Sequence, residues 1–293
     1  FAQPRHLLGA GPSKVNPSVI QAMIQPMIGH LDPDFILVLE EVAALLKQVF
    51  KTQDATTFAV SGTGSAGMQA GITSLLEPGD TVVMCVYGFF CERMVYMAER
   101  VGANVIPLRS EWGRPFPEEM LQEELKRHTN VKLVTAVHAE TSTGILQPLE
   151  GISRLASAHD ALFMVDAVTS LGGNELAFDD WGIDYCFSAT QKCMGCPPGL
   201  SPVALSPRAS DAIENRDTLP SSYYLDLALI SKYWGVEHAY HHTAPTHMIL
   251  ALHEGLRVVL EEGLERRFAR HQWNAMALRV GLEALGLSLV VPE

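Results

Sequence analysis

The chain has 293 residues, 47% of them hydrophobic and 18% charged, with a net charge of −12 at pH 7. That balance fits a globular protein with a sizeable core and speaks against nucleic acid or an anionic membrane as partner, since both need basic patches. No apolar run approaches the roughly 18 residues that span a bilayer, and residues 1–11 lack the charged-then-apolar order of a signal peptide.

From Thr56 onward short apolar runs alternate with amphipathic stretches. Strands are predicted at Thr56–Val60, Thr81–Val86, Asn104–Leu108, Lys132–His138, Ala161–Asp166, Asp184–Ser188 and Pro202–Ser206. Helices are predicted between them at Ser65–Leu76, Phe90–Val101, Pro117–Lys126 and Leu149–His159. Such alternation implies βαβ units and a mostly parallel seven-stranded sheet with helices on both faces, an α/β fold. Glu77-Pro78-Gly79-Asp80 reads as the turn that ends one helix and starts the next strand, and 215–222 as a loop. Leu256–Ala284 reads as one or two helices kinked near Gly263, and Leu287–Val291 as a strand just begun. The expected division is an N-terminal arm (1–13), a large domain (14–262) and the truncated start of a small C-terminal α/β domain (263–293).

In a sheet of this kind ligands bind beyond the carboxyl ends of the strands. Ser61-Gly62-Thr63-Gly64-Ser65-Ala66-Gly67 joins a strand to a helix, where glycines admit a close phosphate and unpaired N–H groups meet it. The same glycines match a dinucleotide fingerprint, with Glu77 and Asp80 near the place of a ribose-binding acid. Asp166 closes an apolar strand, and a carboxylate there needs a cationic or hydrogen-bonding partner. Lys192 lies in a loop of small residues after the next strand, and a lysine removed from water is a competent amine nucleophile for Schiff-base chemistry. Thr141, in His138-Ala139-Glu140-Thr141-Ser142-Thr143-Gly144, follows a further strand end. Five cysteines, Cys85, Cys91, Cys186, Cys193 and Cys196, indicate free thiols in a reducing compartment. Cys193 and Cys196 resemble half a zinc site without a second pair, so no metal is expected. Phosphate cradle, strand-end acid and lysine together match what pyridoxal 5'-phosphate needs: an anchored phosphate, a ring nitrogen kept protonated, and an amine for the aldehyde.

The chain resembles the class V, fold-type I aminotransferases of the alanine–glyoxylate (serine–pyruvate) group, with the ureidoglycine–glyoxylate branch close by. The motifs that carry the likeness run in order: Gly9-Ala10-Gly11-Pro12-Ser13, Ser61-Gly62-Thr63-Gly64-Ser65, Glu140-Thr141-Ser142-Thr143-Gly144, Val165-Asp166-Ala167-Val168, Gln191-Lys192 with Pro197-Pro198-Gly199, and Tyr240-His241-His242-Thr243. The resemblance implies that Lys192 forms the cofactor aldimine and then serves as acid and base, while Asp166 pairs with the pyridine nitrogen. It assigns the phosphate to Thr63, Gly64 and Ser65 with Gln191 beside them. Phe90 would stack on the ring, where the family commonly has tryptophan, Val168 would cover its other face, and Thr141 would reach its hydroxyl. Tyr240 and Thr243 would reach the phosphate of the neighbouring subunit, making a homodimer with shared sites. Gly11 would lie near the substrate carboxylate.

Two departures qualify the likeness. The family's carboxylate-binding arginine belongs to the small C-terminal domain, and this sequence ends before it. Arg257, Arg266, Arg267, Arg270 and Arg279 read as solvated helix faces, so the chain is expected to hold the cofactor better than it turns over substrate. Where the ureidoglycine branch uses amide side chains, this chain has His30 and Ser222, which favours alanine or serine as amino donor to glyoxylate, with His30 near the substrate. Ureidoglycine–glyoxylate transamination is the alternative, and a nicotinamide oxidoreductase the alternative from another class. A desulfurase or lyase ranks below them, because Gln191 stands where those relatives carry histidine. The expected location is cytoplasmic, with a peroxisomal address left open.

Overall fold

A computed structural model describes residues 5–291. Its centre is a seven-stranded sheet of β1 (Thr56–Ser61), β2 (Thr81–Val86), β3 (Asn104–Arg109), β4 (Val131–Val137), β7 (Leu162–Asp166), β8 (Tyr185–Phe187) and β9 (Leu200–Leu205). The spatial order is β1-β9-β8-β7-β4-β2-β3. Only β9 runs against its neighbours, and the remaining pairings are parallel. Every predicted strand of this sheet is present, with Thr81–Val86 as expected and the ends of the others shifted by at most two residues, because a run buried on both faces marks its middle better than its limits.

Around the sheet lie α1 (Pro17–Met23), α2 (Pro33–Phe50), α3 (Gly64–Leu75), α4 (Phe89–Val101), α5 (Glu118–Leu125), α6 (Glu150–Ala158), α7 (Pro207–Glu214), α8 (Leu227–Trp234), α9 (Thr246–Glu262) and α10 (Leu264–Ala284). Their ends follow local chemistry. Asp32 caps α2 through the amide of Asp34 with Pro33 opening the first turn, and Gly102 closes α4 in the left-handed region at φ 83°. Glu77 to Asp80 turns as expected, with the Glu77 amide on the Asp80 carboxylate at 2.8 Å. Residues 215–222 carry neither helix nor strand.

Helix α3 lies almost on the sheet. A Cβ at Gly71 would come within 2.2 Å of the Tyr185 ring, and one at Gly67 within 2.0 Å of the Ser201 hydroxyl. Tyr185 exploits that approach by donating its hydroxyl to the Gly67 carbonyl at 2.7 Å. Gly67 and Gly71 therefore serve packing.

Around the Thr141 turn a short hairpin forms, with β5 (Ala139–Glu140) pairing antiparallel to β6 (Ile145–Leu146). Two expectations are corrected. Leu287–Val291 forms no strand. The C-terminal helical stretch starts earlier than predicted, at Thr246, and breaks at Gly263, where φ is 83°. No described helix is long and apolar enough to cross a membrane.

Candidate active site

A cavity of about 200 Å³ opens beyond the carboxyl ends of β1, β4 and β7. Its floor is the turn from β1 into α3. Gly62 sits at φ 142° with its amide on the Gly199 carbonyl at 2.9 Å, which lets Thr63, Gly64 and Ser65 present the first turn of α3 to the cavity. A Cβ at Gly64 would lie 2.9 Å from Val168 and 3.1 Å from Ala189, so that backbone approaches the opposite wall as closely as it can. Helix amides and the helix dipole make this floor suited to an anion despite the chain's negative total.

Asp166 ends β7 and is 3% exposed. Its Oδ1 accepts the Val168 amide at 2.8 Å. Burial pushes its carboxyl up to about 7, although the Val168 amide and the charges of Arg93 and Lys192 pull the other way. Lys192 faces it across the cavity, half-buried where the sequence suggested enclosure. Its Nζ donates to the Ala10 carbonyl at 2.6 Å, and its own carbonyl accepts the Ser13 hydroxyl at 2.8 Å. The Ser13 amide also donates to the Gln191 carbonyl at 2.8 Å, so residues 10–13 of the N-terminal arm lie directly over the lysine. Gly11 is confined there twice over, by φ 128° and by a Cβ position 2.6 Å from the Lys192 amine. Gln191 lines the wall with a buried Oε1 that has no hydrogen-bond partner.

Phe90, Thr141 and Val168 also line the cavity. Two residues that the sequence gave no role set this part up. Glu140 is 1% exposed and accepts the Phe90 amide at 3.0 Å on one carboxylate oxygen. The other oxygen takes the Ser142 amide at 3.0 Å and the Ser142 hydroxyl at 2.7 Å, so one carboxylate fixes both α4 and the Thr141 turn. Arg93 lies 4.8 Å from the Phe90 ring centre and donates to the Ser65 hydroxyl at 3.1 Å, adding a cation to the cradle. Its position three residues after Phe90 puts it on the same helix face, which was the available signal.

Other predicted residues fall elsewhere. Tyr240, Thr243 and His30 are not in this cavity. Tyr240 is 62% exposed, the His30 ring lies 5.5 Å from it, and His30 and Thr243 line a separate surface hollow with Met27. Ser222 accepts the Leu225 amide in a local turn. Arg267, read as solvated, is 8% exposed. It donates to the Gly172 carbonyl at 2.8 Å, to Glu262 at 2.6 Å and to the Cys193 carbonyl, clamping α10 to the loop that carries Lys192. The long stem of arginine lets a helix-surface position reach inward. Cys193 and Cys196 turn to different carbonyls, those of Thr169 and Ala251.

The dinucleotide geometry fails on topology. Four strands separate β1 from β2, whereas that fold sets its first two strands side by side. Glu77, the proposed ribose acid, instead accepts the Thr218 amide and hydroxyl, both at 2.6 Å.

A model of the class-V aminotransferases (Aminotransferase class-V) matches residues 5–292. The chain belongs to the class-V aminotransferase family. The (S)-ureidoglycine–glyoxylate transaminase of Bacillus subtilis (strain 168) is 38% identical over 97% of this chain and 73% of that protein. The alanine–glyoxylate aminotransferase of Oryctolagus cuniculus is 38% identical over 99% of this chain and 74% of that protein. Among solved structures, an alanine–glyoxylate aminotransferase from Nostoc sp. superposes with a TM-score of 0.95 and 45% identity, covering 100% of this chain and 78% of that one. This aminotransferase therefore has the fold-type I architecture expected from its sequence, and its cavity lies where its strand ends converge.

Proposed function

We propose that this aminotransferase uses pyridoxal 5'-phosphate held at Lys192 to move an amino group from alanine or serine to glyoxylate. The observation that carries the reading is one cavity walled by a helix N-terminus, a buried acid and a lysine amine, and lined by Phe90 as well. The residues present fit the group. The glycine floor leaves backbone amides for a phosphate, the Ser65 and Thr63 hydroxyls supply further donors, and the Gln191 amide, whose Oε1 has no partner among the described residues, has its NH2 to turn toward the same anion. Among the described residues the buried Asp166 forms no ion pair, and a protonated ring nitrogen would supply that partner.

When bound, pyridoxal phosphate supplies an electron sink that makes the substrate's α-hydrogen acidic. The chain's own residues do the rest. Asp166 would keep a proton on the ring nitrogen, and its charged form would gain there the partner that burial denies it. The Lys192 amine would hold the cofactor's aldehyde and, once free, is placed to take up and return the substrate's proton. Phe90 and Val168 would lie against the ring and Thr141 near its hydroxyl, and Gly11 leaves space beside Lys192 for the substrate carboxylate. Tyr240 and Thr243 lie on an exposed face and complete the partner's cradle in a homodimer. Residues 5–13 form the arm, 14–262 the large domain, and α10 onward opens a second unit; Trp273, Leu278 and Val280 on α10 are exposed.

The donor is tested by assaying the purified protein with glyoxylate and alanine, serine or ureidoglycine. Glycine formation with alanine or serine supports the reading. Transfer from ureidoglycine alone would replace it with the second one, which the Bacillus subtilis relative favours. No transfer from any of the three would overturn both.

A further inference from the structure

The segment Tyr240-His241-His242-Thr243 contains two histidines without a role in the site just described. They form the middle of a continuous hydrogen-bonded chain. The Ser61 hydroxyl meets His242 Nε2 at 2.6 Å, His242 Nδ1 meets His241 Nδ1 at 2.7 Å, and His241 Nε2 meets the Tyr223 carbonyl at 2.9 Å. Ser61 and His241 are buried, and the rings of Tyr223, Tyr224 and Tyr233 pack around the pair.

A carbonyl oxygen only accepts, so His241 carries its proton on Nε2 and offers Nδ1 as acceptor. His242 must then donate from Nδ1, which leaves its Nε2 to accept the Ser61 hydroxyl. The chain thus runs in one direction, Ser61 to His242 to His241 to Tyr223. Burial, with the neighbouring His241 and His30, holds His242 down at about 4, which agrees with a neutral ring.

The two ends of this chain matter. Ser61 is the last residue of β1 and immediately precedes the Gly62–Ser65 floor. His241 and His242 lie between Tyr240 and Thr243, the residues assigned to the partner's phosphate. We propose that His241 and His242 are positioning residues, forming a directed relay that locks the Tyr240–Thr243 strip to the base of the chain's own phosphate cradle. One relay then sets the geometry of a cradle in this subunit and of the strip that completes the other, which links the two cofactor sites of the dimer. This inference rests on the functional reading above.

The test titrates cofactor-stripped protein with pyridoxal phosphate and, separately, with pyridoxal, which lacks the phosphate, following visible absorption. His242→Phe keeps a ring in the packing and removes both hydrogen bonds, while Ser61→Ala cuts the relay at its start with little change of volume. Each is expected to weaken pyridoxal phosphate about tenfold, the size of one lost charge-assisted bond, and to leave pyridoxal unchanged. Tyr240→Phe and Thr243→Ala should show the same split. Equal losses for both compounds, or no loss in Ser61→Ala, would overturn the relay. Histidine 15N NMR reads the direction itself: Nδ1–H on His242 and Nε2–H on His241 are expected, and the reverse pattern or a charged His242 at neutral pH refutes it. A parent protein that binds neither compound would sink the functional reading, whereas a parent that binds both, with variants of unaltered preference, sinks the relay alone.

Discussion

Replacing Asp166 with asparagine keeps the shape and the acceptor for the Val168 amide but removes the charge. In the cofactor-free protein burial raises this carboxyl from 3.8 to about 7. A group raised on folding stabilises the native state fully below its unfolded value and loses that contribution as pH climbs through the folded one. The whole difference is worth roughly 4 kcal/mol at about 1.4 kcal/mol per pH unit. Between pH 5 and pH 8 the span from 5 to about 7 remains, so the parent should lose about 3 kcal/mol relative to Asp166→Asn. Urea unfolding of both cofactor-stripped proteins at the two pH values measures this directly. The variant should overtake the parent at pH 8 while binding pyridoxal phosphate more weakly. Parallel stability curves would refute the claim that Asp166 is held in the fold at a cost that the cofactor relieves.

Further expectations follow from the packing. Gly71→Ala drives a methyl to 2.2 Å from the buried Tyr185 ring and should cost about 3 kcal/mol or more in urea unfolding; a loss under 1 kcal/mol would show that α3 can lift. Glu140→Gln turns amide hydrogens toward one pair of donors and should cost about 2–3 kcal/mol together with weaker cofactor binding. An unchanged unfolding midpoint would contradict that role. His138, packed on Trp181 and hydrogen-bonded to Ser170 at 2.9 Å, is depressed to about 4 by burial. Its contribution is complete above pH 6.5 and should fade by up to about 3 kcal/mol as pH falls to 4, a slope that His138→Gln removes. Arg267→Ala leaves the Cys193 and Gly172 carbonyls unpaired, so hydrogen exchange around Lys192 should quicken, and protection equal to the parent's would disprove the clamp.

Much of this molecule could be read along the chain because its strands are short, apolar and buried on both faces, and its loops carry glycines at the strand ends. Thr63–Ser65, Thr141, Asp166 and Lys192, placed at strand ends, reach one cavity, together with Phe90, Val168 and Gln191, which the family resemblance supplied. What stayed hidden depends on contacts far apart in sequence. Glu140 looks like any turn acid until α4 is seen resting on it, and Arg93 like a solvated helix residue until Phe90 and Ser65 surround it. Arg267 followed the same pattern, since helical periodicity says which way a Cα faces and not how far a long side chain reaches. The strand expected at Leu287–Val291 is absent because an apolar run marks burial without itself supplying the backbone pairing a strand needs.

The central claim is that the Lys192 amine holds the cofactor. Treating the pyridoxal-phosphate-loaded protein with borohydride fixes that attachment, and peptide mass spectrometry then finds it. The expected result is the cofactor's added mass on the peptide containing Lys192 and its absence from Lys192→Ala. The same mass on a different lysine, or no stable addition at all, would contradict the account.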